Sequence, residues 1–569
     1  MLRSFDEHIV RKTHSLNGTW RFQTDPEDCA EANGWTTALP SASSVTVPSV
    51  WNTQMDLLEY EGAAWYEKRF YTAGGCLRFC FEAVMTAADV WLDGKKLGNH
   101  YGGFCQFDFI VPDVTPGYHT LIVRADNRFD EASIPQVSVD WYHYGGIPRN
   151  VCFEELSGIC ILNNRMEYTL SDDLSTAECS FVLELYNAAA VETSSALHVT
   201  LDAAEIFSDQ VTLPAHSIQT LTTPKFTLKD VRLWSPETPE LYKICICTDT
   251  DDLLDRTGLR KIEVVGQQVC LNGNPIELRG VNRHEEHPDW GFAFPQGLMQ
   301  RDLDIAVNMG CNTLRGSHYP NSQVFVDMLD EQGMLFWSEI PIWGCGFTPE
   351  ALANPTVIAR GLAMHQEMVK YYYNHPAIIL WGMHNEIESQ TQPGYAMSEL
   401  YYRFLKENGG NRLVTYASSK PMNDLSMEFC DIICINYYIG WYGGDMNYWE
   451  NFLEEFRARR KSLALDHKPV IFSEFGAAAI YGHHTFDDLK WTEEYQAKLI
   501  SYCLQLFHND PMVAGFYIWQ FCDIRTCAEM GLNRARSFNN KGLLNEYRRP
   551  KLAYHAVKQL YHAFAQETK

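Results

Sequence analysis

Pro469-Val470-Ile471-Phe472-Ser473-Glu474-Phe475-Gly476 is the stretch on which the reading of this chain turns. A short apolar run fits a buried strand, and it stops abruptly at a carboxylate followed within two residues by glycine. Ile378-Ile379-Leu380-Trp381-Gly382-Met383-His384-Asn385-Glu386 has the same form. Two apolar strands that each hand a glutamate to their C-terminal end describe a parallel barrel displaying its chemistry on that rim. Paired carboxylates there suit cleavage of a glycosidic bond. One must hold a proton for the leaving oxygen while the other stays ionised to attack the sugar carbon.

Outward from these stretches, the texture from about residue 263 alternates between strand and helix patterns. Residues 300–309 and 323–332 carry helical periodicity, and 313–315 and 335–339 read as strands. Alternation sustained over about 300 residues predicts a (β/α)8 barrel. Eight strand ends carry polar or aromatic groups: 279–284, 315–318, Glu339, Asn385-Glu386, Tyr416, Asn436, Glu474 and Trp519. Upstream the chain reads as all-β. Runs such as Val90-Trp91-Leu92-Asp93-Gly94-Lys95-Lys96-Leu97 have hairpin chemistry at Asp-Gly. Residues 158–262 repeat that texture over a length that suits one immunoglobulin-like sandwich, with strands near 179–186, 196–201 and 241–248.

A chain of 569 residues is too long for one core, and its 46% hydrophobic content excludes disorder. A net charge of −26 repels phosphate backbones and argues against nucleic acid as a partner. The seventeen cysteines have no repeating spacing. The nearest pairs, Cys245-Ile246-Cys247 and Cys76 with Cys80, lack matching partner pairs for zinc. They read as buried free thiols of a reducing compartment. The first residues have no apolar h-region, and no run approaches the roughly 18 apolar residues of a membrane span. A cytoplasmic protein without membrane attachment is expected.

Four further motifs, in chain order, resemble glycoside hydrolase family 2. They are Asn282-Arg283-His284-Glu285-Glu286-His287-Pro288, Ser317-His318-Tyr319-Pro320, Gly382-Met383-His384-Asn385-Glu386 and Ser473-Glu474-Phe475-Gly476. The front end agrees through Ser15-Leu16-Asn17-Gly18-Thr19-Trp20, 60–66 and Gly145-Gly146-Ile147-Pro148-Arg149. The resemblance implies a jelly-roll sugar-binding-like domain over 1–157, the immunoglobulin-like β-sandwich over 158–262 and the catalytic barrel over 263–569. It also implies retention of anomeric configuration, with Glu386 as acid/base and Glu474 as nucleophile. Retention needs the two carboxyls about 5–5.5 Å apart, too close to seat a water between them.

Within the family, Asn539-Asn540-Lys541 ahead of Pro550-Lys551 is similar to the Asn-x-Lys motif of β-glucuronidases. A sugar carboxylate at C6 calls for a cation with a neutral donor, which Lys541 and Asn539 would supply. The same resemblance implies substrate contacts from Asp140, His318, Asn385, Asn436, Tyr438, Tyr442 and Trp519, and a supporting role for Arg279 beside the nucleophile. The expected substrate is therefore a glucuronide or another uronic-acid carbohydrate. β-Galacturonides or β-galactosides are the alternative, and a non-catalytic carbohydrate-binding protein is a third. His284 to His287 lacks the spacing of a helical zinc motif, and His483-His484 has no third ligand, so neither a metal nor another cofactor is expected. The two β modules offer surfaces through which a homo-oligomer is expected. The segment from Gly344 to Thr356 is short for a lid, which predicts an open entrance suited to larger glycans.

Overall fold

The structure is a computed structural model that describes residues 3–344 and 346–567; Cys345, within the short segment expected to leave the entrance open, lies outside them. The first unit is a sandwich of a four-stranded and a six-stranded antiparallel sheet. Period-two alternation drives it. In Gly18–Asp25, Trp20 and Phe22 turn into the sandwich while Thr19 and Arg21 face solvent. Asp93 and Gly94 both adopt left-handed backbone, the requirement of the tight turn joining Ala87–Leu92 to Lys95–Tyr101.

A second sandwich follows. Thr176–Asn187 is central to one sheet; Thr193–Leu201 and Tyr242–Thr248 pair within the other. Phe181, Leu183, Leu197, Val199, Ile244 and Ile246 fill the space between them.

Eight parallel strands then close into a barrel. In chain order they are β1 (Leu278–Arg283), β2 (Thr313–Gly316), β3 (Leu335–Glu339), β4 (Ile378–Asn385), β5 (Leu413–Ser418), β6 (Ile433–Asn436), β7 (Val470–Phe475) and β8 (Val513–Ile518). The helices around them include α1 (Gln296–Met309), α2 (Gln323–Gln332), α3 (Pro349–Leu352) and α4 (Pro355–Tyr372). Strands β4 and β7 are buried at every position, as continuous apolar runs covered on both faces must be. Gly382 is required inside β4. A Cβ there would sit 2.4 Å from Trp337 Nε1 and 2.5 Å from Glu339 Cβ.

The first sandwich reaches into the barrel mouth. Tyr144 donates its hydroxyl proton to Glu286 (2.8 Å), and Arg149 bonds Glu285 (2.9 Å) and the Pro320 carbonyl (2.9 Å). These buried contacts set the position of Asp140 and Trp141 at the rim. Among the described residues no helix is long and apolar enough to cross a membrane.

Candidate active site

The C-terminal ends of the strands open into a cavity of about 650 Å³ whose wall includes Asp140, Trp343, Glu386, Asn436, Tyr438, Tyr442, Glu474, Trp519 and Arg534. Glu386 follows β4 directly, with φ of 53°. Its backbone N–H bonds the Ala417 carbonyl of β5 at 2.9 Å, which holds this left-handed turn. Such a backbone costs a non-glycine residue about 1–3 kcal/mol and is retained where the surroundings over-determine it.

One guanidinium organises the floor. Arg315 on β2 is fully buried and donates to Glu339 (2.9 and 3.0 Å), Asn282 (3.0 Å), Asn385 (2.7 Å) and Glu474 Oε1 (2.8 Å). Tyr438 donates to the other nucleophile-candidate oxygen, Glu474 Oε2, at 2.8 Å. Asn436 Nδ2 donates to Glu386 Oε1 (2.7 Å) and Asn385 Oδ1 (3.0 Å), while Ser473 holds its carbonyl oxygen (2.7 Å). A continuous hydrogen-bonded chain therefore links the two glutamates through Asn436, Asn385 and Arg315. Among the described residues, Asn385 Nδ2 and His318 Nε2 are buried without a hydrogen-bond partner. His318 Nδ1 lies 2.6 Å from Glu339, and its ring stacks on Trp519 with centroids 5.1 Å apart.

Burial pushes the Glu386 carboxyl up to about 8, and the charge of Glu474 adds to the shift. Burial also raises Glu474, to about 7, against the pull of Arg315 and the Tyr438 hydroxyl. The order follows from the contacts: the carboxylate with the guanidinium and phenol donors ionises first, and its charge then keeps the proton on the other. Burial and neighbouring Arg315 hold His318 neutral, well below its usual range.

The Asn-x-Lys motif adjoins the wall residues Tyr438 and Tyr442. Lys541 is 1% exposed, and its Nζ lies over the rings of Tyr438 (5.6 Å) and Tyr442 (4.9 Å). Among the described residues it has no hydrogen-bonding or ion-pairing side-chain partner. Asn539, expected to donate to substrate, spans its own neighbours here. Its Nδ2 donates to Asp140 (3.1 Å) and its Oδ1 accepts from the Lys541 backbone (3.2 Å). Lys551 is buried with its Nζ on Asp523 (2.8 Å), Ala479 (2.7 Å) and Asn540 (3.1 Å), which locks the loop presenting Lys541.

Arg279 is a correction. Expected beside the nucleophile, it lies on the opposite face of β1, with its guanidinium 3.5 Å from Glu277. Alternation gives the reason. Asn282 points inward to Arg315, so Arg279, an odd number of residues away, points out toward the helices. On β2 the same alternation turns Thr313 and Arg315 inward, in register with Gly280 and Asn282 of β1. Arg534, held by Asp140 (2.7 and 2.8 Å) and Tyr442 (3.3 Å), comes from a loop beyond the last barrel strand, where alternation says nothing.

Asp327, Asp330 and His375 are the one group of three candidate metal ligands among the described residues. Arg3 occupies Asp327 at 2.8 Å, and the Ala377 N–H occupies Asp330 at 2.9 Å, so these oxygens already serve as structural acceptors.

Residues 13–156, 161–260 and 262–566 match the "sugar binding domain", the general description and the "TIM barrel domain" of glycosyl hydrolases family 2. A β-glucuronidase from Streptococcus agalactiae is 26% identical over 95% of each chain; the human β-glucuronidase is 25% identical over 99% of this chain and 93% of its own. Among solved structures, a β-galacturonidase from Eisenbergiella tayi bound to galacturonate is 33% identical, with a TM-score of 0.92 over 99% of both chains. A β-glucuronidase from Ruminococcus gnavus in complex with D-glucaro-d-lactam is 26% identical, with a TM-score of 0.86 over 99% of both.

Proposed function

The chain belongs to glycosyl hydrolases family 2, and from that premise we propose that it is a retaining β-glucuronidase releasing terminal β-D-glucuronic acid through a covalent glycosyl-enzyme ester. In the first step Glu474 attacks the anomeric carbon while Glu386 gives its proton to the glycosidic oxygen, and the aglycone leaves as an alcohol. Glu386, now ionised, takes a proton from water; the oxygen of that water attacks the same carbon, and the ester to Glu474 breaks. Arg315 and Tyr438 hold one donor on each Glu474 oxygen, which fixes the carboxylate for in-line attack. The unpartnered Asn385 Nδ2 is suited to the sugar 2-OH, a contact that strengthens as positive charge builds on the ring.

The observation that carries the uronide reading is Lys541. A buried ammonium resting on two aromatic rings, with no carboxylate of its own, is an expensive arrangement unless an anion arrives. The sugar carboxylate is that anion. Removing one side of a buried charge pair costs about 2–5 kcal/mol, or about 30-fold to a few thousandfold in kcat/KM. Lys541→Ala should lose that much on para-nitrophenyl glucuronide, while any activity on para-nitrophenyl galactoside stays within a few-fold. Equal losses on both sugars would refute the assignment.

Galacturonide is the second reading, supported by the 33% identity to the Eisenbergiella tayi galacturonidase. The two uronic acids share the C6 carboxylate and differ at one hydroxyl, so Lys541 serves either. A kinetic panel of chromogenic glucuronide, galacturonide and galactoside ranks them.

A further inference from the structure

The strand Tyr242–Thr248 lies in the middle of a sheet, bonded to Thr193–Leu201 on one side and Asp252–Thr257 on the other. Ile244 and Ile246 point into the sandwich core, and Cys245 and Cys247 point the other way, side by side and partly exposed. Their sulfurs are 3.2 Å apart. The catalytic mechanism uses neither of them. Cys80 and Cys152 are also cross-strand partners, but both are buried, on the sheet face opposite the core residues Phe79, Phe81, Val151 and Phe153.

We propose that Cys245 and Cys247 form a dithiol clip for a thiophilic group with two exchangeable positions, of which a trivalent arsenical is the type. Two sulfurs on one face of a strand held from both sides are already paired, so chelation costs little ordering of the protein. A direct disulfide fits the same strand poorly. Residues i and i+2 of an extended strand have Cα atoms about 6.6–6.8 Å apart, at the far end of the range a disulfide spans. A bridging atom inserted between the sulfurs removes that constraint. The step is an exchange without redox change. The arsenic–oxygen bond of an organoarsenic(III) oxide breaks, two arsenic–sulfur bonds form, and both thiol protons leave with the oxygen as water.

The test is intact-protein mass spectrometry of the native full-length chain after one equivalent of phenylarsine oxide, with peptide mapping of the adduct. One phenylarsenic group is expected on the peptide holding Cys245 and Cys247, released by a small dithiol but not by a monothiol. Cys245→Ser and Cys247→Ser should each abolish it, and Cys152→Ser should leave it intact. Hydrolytic activity, measured alongside, should be unchanged by the adduct and by all three substitutions, which also reports that the variants fold. An adduct surviving in both clip variants would overturn the proposal. So would its loss in Cys152→Ser, its absence from the wild-type chain, or a wild-type mass lower by two hydrogens from a Cys245–Cys247 disulfide.

Discussion

Tyr438→Phe removes one of the two contacts, with Arg315, that make Glu474 the first of the two glutamates to ionise. The phenol donates to Glu474 Oε2 at 2.8 Å, and a hydrogen bond to a charged acceptor is worth about 1.5–3 kcal/mol. At 1.36 kcal/mol per pH unit its loss raises Glu474 by about one to two units. Glu474 starts at about 7 and Glu386 at about 8, so the variant brings Glu474 level with its partner or above it. In the proposed mechanism the active form has Glu474 ionised and Glu386 protonated. When the order inverts, the shared proton moves to the wrong carboxylate.

The consequence is a pH profile that changes shape as well as height. The acid limb of kcat/KM, which reports the free enzyme, should move up by about one to two pH units, with about 10- to 100-fold loss well below neutrality. Near the alkaline limb the loss should be only about two- to tenfold, because Glu386 keeps its burial and its bond from Asn436. The assay is para-nitrophenyl glucuronide turnover at low substrate from about pH 5 to 9. A uniform loss at every pH, with both limbs in place, would refute the argument and leave Tyr438 as a simple substrate contact.

Further expectations follow from the same network. Glu386→Gln removes the proposed general acid, so turnover of an alkyl glucuronide should fall about 100- to 10,000-fold, with much less effect on the first step for a dinitrophenyl leaving group. Azide, which needs no general base, should restore release of the sugar as the glycosyl azide. The same variant tests stability. A carboxyl at about 8 in the fold and 4.5 ordinarily binds protons on folding, so wild-type stability falls as pH rises through that window. Glu386→Gln lacks this titration, so its stability should gain on the wild type with rising pH, by up to about 5 kcal/mol in urea unfolding. Arg315→Lys keeps a charge but loses the fork bonded to Glu339, Asn385 and Glu474, and should cost about 3–5 kcal/mol in kcat/KM, read by the same turnover assay. Gly382→Ala drives a methyl into Trp337 and Glu339 and should destabilise by about 1–3 kcal/mol in urea unfolding.

The barrel was legible because its strands are buried on both faces and leave continuous apolar runs. A carboxylate also follows β4 directly and another is the last residue but one of β7, which made the two glutamates visible before any coordinate. What stayed hidden is of two kinds. Arg279 and Arg315 both sit at strand ends near acidic groups, and composition alone treats them alike. Parity relative to the inward Asn282 separates them, a local rule that only becomes usable once the exact strand register is known. The roles of Asp140, Asn539 and Arg534 depend on contacts across 394 and 399 residues of sequence, between a loop of the first sandwich and a loop after β8. No periodicity reports such a contact, since Asp140 and Arg534 lie on irregular backbone and Asn539 in a strand of only two residues. The Asn-x-Lys motif shows the same limit in miniature. Its lysine is readable as a cation for a sugar carboxylate, and its asparagine is bonded to Asp140 and the Lys541 backbone. Asn539 therefore holds the sandwich loop and the barrel loop together, and the shape of the cavity depends on a joint between domains as much as on the rim of the barrel.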